Sequence, residues 1–270
     1  METKLKRLIT KINITSLHIE NYLATAYNLK KNYIIKTINK DTLLKIMPSN
    51  YQEIDYTRLE KMPAYEEVKN FINFVSKHFK EEDLLLFYKN INNVTIMKLT
   101  SSKDNPLAGT YHILKNQIST THKSHIYHEL FHMTSCQYGN VGFHNNYLNS
   151  GIGINEGFTE LLTRKYFGCS ENDCSYLVET SVASVLSSII GEEKMTKLYM
   201  EGNYFGLLIA LDTYLDPVNL SDFFHKLDRF TFLTSKSSVI FINFRFITKS
   251  RKNISFRKIL CIKIKLFNIP

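Results

Sequence analysis

A chain of 270 residues is long enough for one large domain or two modest ones, each with a real core. Its 44% hydrophobic and 22% charged content is that of a soluble globular protein, not of a disordered or membrane-spanning one. The net charge of +9 would suggest a polyanionic partner, but the excess is confined to the end of the chain. After Asp228 there are ten Lys and Arg and no acidic residue, whereas residues 1–228 hold 24 basic and 25 acidic side chains.

The start, M-E-T-K-L-K-R-L-I-T-K, is charged throughout, and no apolar run reaches the roughly 18 residues of a membrane span. A cytoplasmic protein is expected. Its four cysteines, Cys136, Cys169, Cys174 and Cys261, are then expected as free thiols.

The first 100 residues read as a mixed α/β part. Helices are predicted over 3–12 and 17–27, and a strand over 32–38. Between 64 and 79, Val68, Phe71, Ile72, Val75 and Phe79 recur at three- and four-residue steps, which gives a helix one apolar face; Pro63 would occupy its first turn. Glu81, Glu82 and Asp83 suit the start of another helix. Residues 93–99 and 109–118 have strand composition and are separated by a polar loop.

The chain is organised around His122 to Ser135, H-K-S-H-I-Y-H-E-L-F-H-M-T-S. It contains His128-Glu129-Leu130-Phe131-His132, an H-E-x-x-H pattern. On a helix, residues four apart share a face, so both imidazoles can reach one metal ion while Glu129 touches a water beside it. Ile126, Leu130 and Met133 supply the apolar stripe such a helix needs. A polar, glycine-containing loop is expected over 137–153. Asn155-Glu156-Gly157-Phe158-Thr159-Glu160 follows. There Glu156 offers a third ligand, and Glu160, one turn on, can accept the outer N–H of a ligating histidine.

The pair H-E-L-F-H and N-E-G-F-T-E resembles the active-site helices of the gluzincin metallopeptidases, among them the thermolysin-like proteases and the zinc aminopeptidases. The likeness covers about residues 109–167. It implies a zincin-like α+β fold and a zinc ion on His128, His132 and Glu156. It also implies Glu129 as general base, Glu160 as orienting carboxylate, and residues 110–118 as an edge strand that binds an extended peptide or protein substrate. The gap between His132 and Glu156 is a few residues longer than in those families. No G-x-M-E-N stretch lies upstream, so an endopeptidase is expected rather than an amino-terminal exopeptidase. Tyr147, His144, Tyr199 and Tyr204 are the candidates for an oxyanion donor.

Downstream, Ser170-Glu171-Asn172-Asp173 resembles a capping box that opens a helix ending at Gly191. Further helices are expected over 192–201, 204–215 and 220–227. The domain reading is therefore a mixed α/β part over 1–100, a catalytic core with a helical subdomain over 101–228, and a basic tail over 229–270. Three readings fit that tail: a basic aromatic arm for nucleic acid or anionic membrane, a poorly patterned strand pair, or an out-of-frame extension of an AT-rich gene. The alternative to an enzyme is a catalytically silent protein of the same fold that binds through the tail. The presence of Glu129, which mere metal binding does not need, favours the enzyme.

Overall fold

A computed structural model describes residues 44–45, 47–98, 109–121, 125–137, 140–146, 148–168, 176–212, 214 and 217–234, and the strands at 243–247 and 259–263. The chain divides into two compact units, Met1–Pro48 and Ser49–Pro270. The elements expected over 3–12, 17–27 and 32–38, the loop at 101–106 and the capping box at 170–173 lie outside the described residues.

In the second unit, a short helix α1 (Tyr56–Leu59) is capped by Asp55, whose side chain accepts from the Arg58 N–H at 3.0 Å. Helix α2 (Tyr65–His78) buries Val68, Phe71, Ile72 and Val75, the face its periodicity indicates. Ala64 stands at its N-cap in a left-handed conformation, so Pro63 precedes the helix instead of sitting in its first turn. The acidic triplet forms a 3-10 turn (Glu81–Asp83), and helix α3 (Leu85–Ile91) follows.

Strands β1 (Thr95–Lys98), β2 (Gly109–His112) and β3 (Gln117–Thr120) form a sheet of order β1-β3-β2. β3 pairs parallel with β1 and antiparallel with β2. The single strand expected over 109–118 is therefore two strands of a hairpin. The break is local: Ile113–Lys115 tighten into a 3-10 turn, and Asn116 takes φ 46°, which asparagine tolerates better than most residues. Its side-chain amide donates to the Asn90 carbonyl at 2.8 Å, and its own carbonyl accepts from the Thr95 N–H at 2.9 Å. Of the expected edge strand only the β2 part lies at an edge of the sheet, while β3 lies in the middle with Ile118, Ser119 and Thr120 buried.

Helix α4 (Ile126–Thr134) packs against α2, α3 and the sheet, with Ile126, Leu130 and Met133 fully buried. The stretch expected as a loop carries a small antiparallel meander, β4 (Cys136–Gln137), β5 (Asn140–Val141) and β6 (His144–Asn145). The left-handed Gly142 permits the tight turn between β5 and β6: a Cβ there would lie 2.3 Å from the Tyr199 ring and 2.4 Å from Asn155 Oδ1.

Helix α5 (Ile152–Phe167) is the centre of the helical part, in contact with α4, α6 (Leu177–Ile190) and α9 (Pro217–Thr234). Helices α7 (Glu192–Met200) and α8 (Tyr204–Asp212) complete it. The α5–α6 approach requires Gly157, where a Cβ would meet the Glu179 backbone at 2.2 Å. α9 is longer than the eight residues expected over 220–227. The proposed tail boundary after Asp228 falls inside it, and Phe230 and Thr231 are buried beyond that point. Packing against α5 and α6 explains the extension: Thr231 donates to buried Glu179 of α6 at 2.7 Å, and Gly153 of α5 packs directly on Leu227 and Thr231. Further on, β7 (Asn243–Ile247) and β8 (Ile259–Lys263) pair antiparallel, the strand-pair reading of the tail. No described helix is long and apolar enough to cross a membrane.

Candidate metal centre

α4 presents His128 and His132 on one face, one turn apart, toward Glu156 in the second turn of α5. His128 Nε2 lies 3.1 Å from His132 Nε2 and 3.1 Å from Glu156 Oε2, and the third side of the triangle is 3.4 Å. This is the one group of three metal-competent side chains among the described residues. Donors about 2.0–2.1 Å from a tetrahedral ion would stand roughly 3.3–3.4 Å apart, close to these edges. Two imidazoles and a carboxylate are also the donor types of a catalytic zinc site, so the residues fit that ion.

The outer nitrogens are engaged as well. His128 Nδ1 lies 3.1 Å from Glu160 Oε2, whose other oxygen accepts from Arg164 Nε at 2.8 Å. Burial opposes the charge on Glu160, but His128 and Arg164 hold its carboxyl below the usual range. On the other side, His132 Nδ1 faces Asn155 Nδ2 at 3.3 Å and Thr159 Oγ1 at 3.4 Å.

Burial disfavours a charged His128, yet hydrogen bonds to Glu156 and Glu160 override it and push its pKa up to about 10. Burial likewise works against Glu156, and the two imidazoles hold its carboxyl far below the usual range. A metal ion entering the triad would have to displace a proton.

Glu129 is 6% exposed and receives the Tyr111 backbone N–H from β2. Burial holds its carboxyl above the ordinary value, the direction that suits a proton acceptor. β2 lies so close that a Cβ on Gly109 would fall 2.8 Å from Glu129 Oε1.

Of the oxyanion candidates, Tyr199 and Tyr204 are at most 1% exposed and committed elsewhere, Tyr199 to Thr159 and Tyr204 to Ser150 at 2.8 Å. Tyr147 lies outside the described residues. His144, on β6, keeps a buried Nε2 with no hydrogen-bond partner among the described residues, and the charges of Glu156 and His132 act on it. Burial lowers its pKa and so favours the neutral ring.

Tyr176 carried no sequence signal and is brought to the site by the fold. It holds a left-handed backbone, φ 55° and ψ 40°, at the N-cap of α6. Its ring lies nearly parallel to that of His128, 5.8 Å between centroids and 21° between planes, and its hydroxyl hydrogen-bonds Glu156. The charge of Glu156, with burial, keeps the phenol protonated. A tyrosine in this conformation costs about 1–2 kcal/mol, and such strain clusters at functional sites. No family model, curated protein or solved structure matches this chain.

Proposed function

We propose that this protein is a zinc-dependent peptidase that cleaves within extended peptides. The observation that carries the reading is the convergence of two imidazole nitrogens and a carboxylate oxygen beside a buried, strand-anchored Glu129. His128, His132 and Glu156 would hold the ion. When bound, zinc supplies a Lewis acid that polarises the scissile carbonyl and eases ionisation of the attacking water.

The protein groups divide the remaining work. The outer edge of β2, which pairs with no described strand, offers backbone groups for an incoming peptide to extend the sheet. Glu129 takes the water's proton and returns it to the departing amine. Among the described residues, Tyr176 and His144 are the two we assign to face a developing oxyanion, through an O–H and an N–H group. Glu160 fixes the tautomer of His128 by accepting its Nδ1 proton, which leaves Nε2 as the ligand atom.

The test is zinc content with hydrolysis of a quenched fluorescent peptide library. The purified protein should carry about one zinc per chain and lose activity to chelators. Glu156→Ala should lose the metal, whereas Glu129→Gln should retain it and lose at least a hundredfold in activity. A Glu129→Gln protein that cleaves as fast as the parent would sink the peptidase reading.

A further inference from the structure

We infer that Thr159, oriented by Tyr199, is the positioning residue that makes His132 a metal ligand. The inference rests on the metal triad of the reading above and adds a device to it. A ligating imidazole must present a lone pair at Nε2, so its Nδ1 must carry the proton and give it to an acceptor. For His128 that acceptor is the Glu160 carboxylate. For His132 there is no carboxylate, and two neutral side chains of α5 compete for the same nitrogen.

One of them pulls the wrong way. The Asn155 amide is oriented by the Phe143 N–H, which donates to Oδ1 at 3.0 Å, and this turns its NH2 toward His132 Nδ1 at 3.3 Å. An NH2 there favours a bare Nδ1 and a protonated Nε2, the tautomer that cannot bind metal. Thr159 Oγ1, at 3.4 Å, is the acceptor that selects the other tautomer. Its own hydrogen is engaged with the Asn155 carbonyl at 2.7 Å, one turn back in the helix. The Tyr199 hydroxyl, 2.7 Å away, must therefore be the donor in its bond to Thr159. With one proton given and one received, the oxygen keeps a lone pair for His132 Nδ1–H. Thr159 and Tyr199 are both fully buried, out of reach of bulk water.

The test is a zinc dissociation constant from competition with a chromophoric chelator, read alongside thermal unfolding of the metal-free proteins. Thr159→Val keeps the shape but removes the acceptor, and should weaken zinc by about tenfold to a hundredfold. Thr159→Ser should bind like the parent. Adding Asn155→Asp to Thr159→Val places a carboxylate oxygen where the NH2 stood, and should recover most of the lost affinity. Unchanged affinity in Thr159→Val, or a loss that Asn155→Asp does not repair, would overturn the inference. Should Thr159→Val not fold, Asn155→Asp alone serves: it should bind zinc more tightly than the parent, and equal or weaker binding would refute the tautomer argument. A parent protein that takes up no zinc at all would instead overturn the metal site itself.

Discussion

Asp228 holds the start of α5 from a distance of 75 residues. Its two carboxylate oxygens accept the backbone N–H groups of Gly151 and Gly153 at 2.8 Å each. These are among the amides at the first turn of α5 that no intrahelical carbonyl can reach. No side chain of α5's own N-cap residue can do this work, because that residue is Gly151. Asp228→Ala removes both acceptors. Hydrogen bonds to a charged group contribute about 1.5–3 kcal/mol each, but the carboxylate is partly buried, and burial raises its pKa despite the amides, so part of that gain is already offset. A net loss of about 3 kcal/mol is expected. For a domain of this size that corresponds to roughly 6–12 °C in Tm, followed by far-ultraviolet circular dichroism of the metal-free protein. Asp228→Asn keeps one acceptor and should lose about half as much. A drop below about 2 °C for Asp228→Ala would show that α5 does not depend on this cap.

Three further outcomes follow from the same packing. Gly157→Ala drives a methyl into the Glu179 backbone at 2.2 Å and should cost about 3 kcal/mol or more, read by denaturant unfolding; a near-neutral result would mean that α5 and α6 are not held at this distance. Glu179 sits 2% exposed with Thr231 as its donor, and burial raises its pKa above the ordinary glutamate value. The folded protein thus binds this proton more tightly than the unfolded chain, and stability falls as pH rises from the unfolded toward the folded pKa. Glu179→Gln should therefore gain in Tm over the parent progressively as pH rises above the ordinary glutamate range, and a pH-independent difference would contradict this. Finally, a chain ending at Thr234 should fold. One ending at Asp228 should melt well below it or fail to fold, because it lacks buried Phe230 and the Thr231 bond to Glu179.

How much of this was legible in the chain depends on how far apart the cooperating residues lie. His128, Glu129 and His132 are read directly, because a single helical turn fixes their relation whatever surrounds them. Glu156 and Glu160 are read the same way, and Asn155 and Thr159 stand four residues apart on that same helix, so their role near His132 was open to the same reasoning. Tyr176 was not, because its place over His128 depends on the docking of α6 against Gly157 and on a left-handed turn that tyrosine does not advertise. The β2–β3 hairpin was hidden by its composition: residues 109–118 suit a strand throughout, and one backbone angle at Asn116 reverses the chain. α9 looked shorter than it is because the charge pattern changes at Arg229, while the partners that keep Phe230 and Thr231 helical belong to other parts of the sequence.

The seam between β2 and α4 ties strand register to the position of Glu129. Gly109 faces the carboxylate, and the Tyr111 N–H reaches it, only while Gly109 stands opposite Thr120. A slip of one residue would bring a side-chain-bearing neighbour against Glu129 and turn the Tyr111 N–H toward β3. Such a misregistered molecule would keep its helices, its core and the side chains of His128, His132 and Glu156, and under the function proposed above would take up zinc like the rest. If the proposed peptidase activity holds, turnover per bound zinc reports the fraction of molecules in which a four-residue strand has found its proper partner, a fidelity that neither metal content nor circular dichroism can see.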